Sequence, residues 1–171
     1  MDGKKETDEE AVLFRKEGIM RETIDYYNAN VKKFFDDTAS VNFTCIQNTF
    51  LKLLPKRATI LDFGCGILAG IQNISLEQGC IVEAVDGSLA VCEAASKYTG
   101  IRVKQMLFQE LNEKEIYDGI WACASILHVK RRELPEIIRK MSEATKVNGV
   151  IYLSFKYGDF EGREAADILR I

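Results

Sequence analysis

The chain has 171 residues, 47% hydrophobic and 29% charged, which suits one domain with a core that needs no disulfide or metal to fold. Its 23 basic and 26 acidic residues leave a net charge of −3, so no basic excess points to nucleic acid. Apolar stretches such as Gly119 to Leu127 fall far short of the roughly 20 residues that span a bilayer.

Residues 1–20 read as a polar tail without the apolar run of an export signal. Ile24, Tyr27, Val31, Phe34 and Phe35 then form one helical stripe, and Phe43, Ile46, Phe50, Leu53 and Leu54 a second, stopped by Pro55. Beyond Pro55 the pattern changes to short apolar runs separated by helix-length segments. Residues 58–63 predict a buried strand and Leu68 to Gln78 a helix ended by Gly79. Ile81 to Asp86 predicts the second strand, followed by a helix capped by Ser88 and ended by Gly100. Ile101 to Leu107 and Tyr117 to Cys123 predict strands three and four. A helix from about Arg132 to Thr145 places Leu134, Ile137, Ile138 and Met141 on one face. Val150 to Phe155 predicts the fifth strand, opened by Asn148-Gly149.

Strands alternating with helices through short connections imply right-handed crossovers and a doubly wound parallel sheet of about five strands in an αβα sandwich. Ligands bind such a sheet beyond the carboxyl ends of its strands. The chemistry-bearing residues cluster at those ends. After the first strand comes Asp62-Phe63-Gly64-Cys65-Gly66, where Gly64 permits a tight turn and Gly66 lets a ligand approach the backbone. Asp86, followed by Gly87, ends the second strand, where a carboxylate can accept both hydroxyl protons of a ribose. Leu107, Phe108 and Gln109 follow the third strand, where side chains can wall an adenine. Small residues at Ala122 and Cys123 leave space at the end of the fourth strand and bring His128 near the pocket mouth. His128 and Glu110 are the candidate bases, both weak.

The five cysteines, Cys45, Cys65, Cys80, Cys92 and Cys123, contain no Cys-x-x-Cys, and His128 is the sole histidine, so no zinc-like spacing exists. Reduced thiols in a cytoplasmic protein are the expectation.

In this order the segments Ile60 to Gly66, Ala84 to Ser88, Tyr117 to Val129 and Leu153 to Gly158, with Tyr26-Tyr27-Asn28 ahead of them, resemble a class I S-adenosylmethionine-dependent methyltransferase. The likeness is greatest to the small bacterial branch labelled tellurite-resistance-like. The resemblance implies that Asp62 and the loop Gly64, Cys65, Gly66 hold the methionine part of the cofactor and that Asp86 and Gly87 meet the ribose. It places Leu107, Phe108 and Gln109 around the adenine, the backbone at Ala122 and Cys123 against the methionine amine, and Tyr27 over the site. The implied activity is methyl transfer to a small-molecule acceptor, leaving S-adenosylhomocysteine, without nucleic acid, membrane or metal. Residues 21–55 would form a helical lid, 56–158 the cofactor-binding core and 159–171 a short extension.

Two departures stand out. Leu68 occupies the family's third glycine position, and the chain stops where the fold normally adds a final helix and strand pair. The exposed edge Val150–Phe155 would then pair in a homodimer or be covered by residues 159–171, unless the chain is a piece of a longer protein. Two rival readings stay open. One is a degenerate domain that binds the cofactor or a partner without turnover. The other is a nicotinamide-dependent oxidoreductase, which Gly64-x-Gly66 and Asp86 would also fit.

Overall fold

A computed structural model describes residues 21–38, 42–67, 71–156, 162–163 and 169–170. Five strands form one sheet in the order β3-β2-β1-β4-β5. They are β1 (Thr59–Phe63), β2 (Ile81–Asp86), β3 (Val103–Gln105), β4 (Tyr117–Ala122) and β5 (Thr145–Leu153), all parallel. Chain order runs one way from β1 through β2 to β3, then jumps across β1 to β4. The switch between β1 and β4 opens the crevice that such sheets use for ligands.

The helices cover both faces. Helix α1 spans residues 21–29, α2 Val31–Thr38, α3 Thr44–Lys52, α4 Gln72–Glu77, α5 Leu89–Thr99 and α6 Leu134–Ala144. Strand β1 is apolar on both sides because it is covered on both sides. Leu61 and Phe63 join Ile137 and Met141 of α6 in one cluster, and Ile60 joins Phe50 and Leu51 of α3 in the other. Trp121 of β4 anchors the second cluster, stacked on Tyr152 at 4.1 Å and meeting Phe50 edge-on at 5.3 Å. Local chemistry fixes the element ends. Ser88 Oγ accepts from Val91 N–H at 3.2 Å to start α5, and Gly100, at φ +76°, ends it.

Several boundaries differ from the sequence reading. The first apolar stripe makes two helices that meet at Asn30. Strand β3 is only three residues long, because residues 106–110 leave the ladder for a turn. Helix α4 begins at Gln72, and Leu68 lies outside the described residues. Helix α6 starts at Leu134, and Ile138 stands 39% exposed, off the face buried by Ile137 and Met141. Strand β5 begins at Thr145, five residues early. Its register slips against β4 between the Tyr117–Thr145 and Gly119–Val150 pairs, forming a bulge where Asn148 takes φ +65°.

The pairs Gly162–Arg163 (β6) and Leu169–Arg170 (β7) hydrogen-bond to each other, antiparallel, and stay outside the main sheet. β7 lies beside the single turn Ile126–His128, at the carboxyl end of the sheet. The expected cover over β5 is therefore not found among the described residues. The rest of 159–171 lies outside them. No described helix is long and apolar enough to cross a membrane.

Candidate functional site

The parallel register aligns the strand ends. Phe63 pairs with Val85, Asp86 with Gln105, and Ala122 with Leu153. The segments that leave those ends wall one cavity of about 190 Å³, closed from above by α1 and α2.

The loop after β1 forms its floor. Gly64 N–H and Cys65 N–H both donate to Val85 carbonyl at 2.9 Å. Gly64 and Gly66 take φ +78° and +57°, which other residues rarely adopt. A side chain at Gly64 would strike Ser125 Cβ at 2.4 Å, and one at Gly66 would meet Phe34 at 3.3 Å. Glycine at these positions keeps the loop clear of Ser125 and, more loosely, of Phe34.

Two carboxylates support this loop. Asp86 Oδ2 accepts from Gly66 N–H at 3.1 Å and Oδ1 accepts from Ser88 N–H at 2.9 Å. Burial raises its pKa, and those backbone donors partly offset the shift. Asp62 lies deeper, 1% exposed, and Oδ2 accepts from Ile71 N–H at 2.9 Å. Burial is the main cause that pushes its pKa up to about 7, with the charge of Asp86 adding to it. The thiols of Cys65 and Cys123 also face the cavity, and burial pushes both upward, so neither is poised as a thiolate.

Asn28 and Tyr27 help fasten helix α1 over the cavity. Asn28 Oδ1 accepts from Ser88 Oγ at 2.7 Å and from Ala90 N–H at 3.2 Å, at the start of α5. Tyr27 Oη lies 3.0 Å from His128 Nε2. His128 is placed by a turn that is itself held twice. Ser125 Oγ donates to Phe63 carbonyl at 2.6 Å, and Ala124 N–H donates to Ser154 Oγ at 2.7 Å.

Of the residues singled out in the sequence, Tyr27, Gly64, Cys65, Gly66, Asp86, Gly87, Leu107, Phe108, Cys123 and His128 line this cavity. Asp62, Gln109 and Ala122 do not. Asp62 sits beneath the loop, Ala122 is fully buried in β4, and Gln109 Nε2 points to Glu133 Oε2, 3.5 Å away. Glu110 turns back and accepts from Leu107 N–H. The sequence reading missed Ile24, Phe34, Phe43, Met106 and Ser125 as lining residues. Ile24 and Phe34 belonged to a recognised apolar stripe, and nothing in the pattern said which of its members face a cavity rather than the core. Among the described residues no group of three His, Cys, Asp or Glu could hold a metal ion.

No family model matches the chain, and no curated protein matches it. Solved structures do. The Burkholderia thailandensis 1,6-didemethyltoxoflavin-N1-methyltransferase, bound to 1,6-didemethyltoxoflavin and S-adenosylhomocysteine, aligns over 99% of this chain and 75% of its own, at TM-score 0.69 and 19% identity. A TehB-like S-adenosylmethionine-dependent methyltransferase from Corynebacterium glutamicum aligns over 73% of this chain and 71% of its own, at TM-score 0.61 and 17% identity. Coclaurine N-methyltransferase, bound to N-methylheliamine and S-adenosylhomocysteine, aligns over 67% of this chain and 37% of its own, at TM-score 0.54 and 23% identity. The chain has the Rossmann-like α/β fold of the S-adenosylmethionine-dependent methyltransferases.

Proposed function

We propose that the chain transfers a methyl group from S-adenosylmethionine to a small-molecule acceptor. One observation carries this reading. Asp62, buried beneath the glycine loop, and the half-buried Asp86 that lines the cavity support a site with no lysine or arginine among its described lining residues. S-adenosylmethionine carries a sulfonium and an ammonium against one carboxylate, so its net charge complements these acids. A nicotinamide dinucleotide could also set a ribose on Asp86, so that carboxylate does not by itself separate the two cofactors. The fold shared with solved methyltransferases supports the methyltransferase over the oxidoreductase.

The residues fit such a cofactor. Gly64 and Gly66, at positive φ, make the tight turn that brings the loop to the cavity. Each Asp86 oxygen already accepts one backbone N–H and keeps a second lone pair for a ribose hydroxyl. Leu107 and Phe108 supply apolar walls for the adenine, and α1 and α2 act as the lid, while α3 belongs to the core. The bound cofactor supplies an electrophilic methyl group. The protein's part is to align the acceptor and exclude water. The Burkholderia neighbour binds 1,6-didemethyltoxoflavin beside S-adenosylhomocysteine, which supports the small-molecule class here.

Calorimetric titration with S-adenosylhomocysteine, beside NADH, tests the reading. The expected result is binding of the former alone, with Asp86→Ala weakening it by about 1–3 kcal/mol while the thermal melt stays cooperative. Binding of NADH alone would establish the oxidoreductase. Cofactor binding with no turnover of any acceptor would support the degenerate domain.

A further inference from the structure

The cavity wall beyond the cofactor residues is mostly carbon. Phe34, Phe43, Met106 and Val129 contribute to it, and its titratable side chains besides Asp86 are Tyr27, His128 and two protonated thiols. Such a wall stacks on a flat, neutral ring and offers no described cation to a carboxylate or phosphate. Within it, Tyr27 and His128 form a hydrogen-bonded pair, Oη to Nε2, at 3.0 Å.

Both partners are held in place independently of each other. The ring of Tyr27 meets Tyr26 and Phe34 edge-on at 5.5 and 5.0 Å, and the next residue, Asn28, is fastened to α5. His128 ends a turn fixed to Phe63 and Ser154. Pre-organisation of this kind separates a proton relay from a chance surface contact.

Resting on the methyl-transfer reading, we propose that the acceptor is a flat, neutral ring bearing an ionisable O–H or N–H. We further propose that Tyr27 and His128 are the relay that removes its proton. With His128 as the Nδ1–H tautomer, Nε2 accepts from the Tyr27 hydroxyl. The acceptor's lone pair forms the new bond to the methyl carbon as the carbon–sulfur bond breaks, its electron pair staying on sulfur. The acceptor's proton passes to Tyr27 oxygen while Tyr27's own proton passes to His128 Nε2. Tyr27 ends unchanged, and the imidazolium returns its proton to water. Tyr27 is the catalytic residue, and His128 acts through it. Because Tyr27 rides on α1, the relay is complete only with the lid in place.

The test uses phenols graded in acidity from 4-nitrophenol to 4-methoxyphenol, with Tyr27→Phe and His128→Asn. Titration with S-adenosylhomocysteine comes first, since failure of the wild-type chain to bind it overturns the underlying reading, and this proposal with it. In the complex with S-adenosylhomocysteine, the absorption of 4-nitrophenol should report a lower apparent pKa in wild type than in His128→Asn. In turnover, each variant should lose about 10²–10⁴-fold in kcat with 4-methoxyphenol. That loss should shrink at least tenfold with 4-nitrophenol, which ionises without help. A loss equal across the series, or an unshifted nitrophenol spectrum, overturns the relay. Benzoate binding more tightly than 4-methoxyphenol, or no phenol binding to a chain that binds S-adenosylhomocysteine, overturns the acceptor class.

Discussion

Asp62 sits in β1 with its side chain almost wholly out of water, yet it accepts only one backbone hydrogen bond named above. Its folded pKa of about 7 lies above its ordinary value of 3.8. Between those values the folded chain binds more protons than the unfolded one. Stability is therefore fully present below about pH 4 for this group and declines as pH rises through 7, by up to about 4 kcal/mol. Asp62→Asn should flatten that part of the stability curve, measured by urea unfolding from pH 4.5 to 7.5. An identical slope in the variant would show that another group carries it. A cationic ligand nearby favours the ionised form. Binding of S-adenosylmethionine near pH 6 should therefore release a proton, seen as a dependence of calorimetric heat on the buffer. The acid before the glycine loop was legible in the sequence as a site residue. Its depth was not, because the carboxylate is covered by the segment leading into α4, where Ile71 N–H meets it.

At the scale of elements, Asn28 ties α1 to the start of α5. Asn28 does the work of a second cap for α5. Ser88 Oγ serves Val91 N–H, and Asn28 Oδ1 serves Ala90 N–H. Asn28→Ala leaves Ala90 N–H without that acceptor and unfastens α1, at a cost of about 1–2 kcal/mol. Hydrogen exchange should then speed up across residues 21–29 while β1 and β4 stay protected. Uniform exchange behaviour in the variant would place the anchor elsewhere. The Tyr26-Tyr27-Asn28 run was visible as a motif, but its two attachments, to α5 and to His128, join residues 60 or more positions apart. Periodicity carries no information at that range.

At the scale of the whole molecule, β5 is an outer strand of the sheet among the described residues. The bulge at residues 146–149 breaks regular pairing, leaving Val150–Leu153 as the straight part of the strand. Ser154 N–H points inward to Ala122 carbonyl, so by alternation the N–H groups of Ile151 and Leu153 point outward. We infer a homodimer through this short edge. Sedimentation should show mass rising toward a dimer with concentration, and the Ile151 and Leu153 amides should gain exchange protection in parallel. A chain that stays monomeric while these amides are protected would place the cover within one copy.

The sequence by itself determined the alternation of strands and helices, the apolar runs buried on both faces, and the glycines and acids at the strand ends. These are local properties: side-chain period, φ preference and capping chemistry act within a few residues. Thus β2 matches its expected bounds, and Ser88 and Gly100 end α5 as read. Only the tertiary structure decided which of the marked residues share a cavity. It sank Asp62 beneath the loop and turned Gln109 toward Glu133. It also brought Phe34 over Gly66 and set Tyr27 against His128. Those outcomes depend on how helices cross the sheet, and that is settled by packing between segments far apart in the chain.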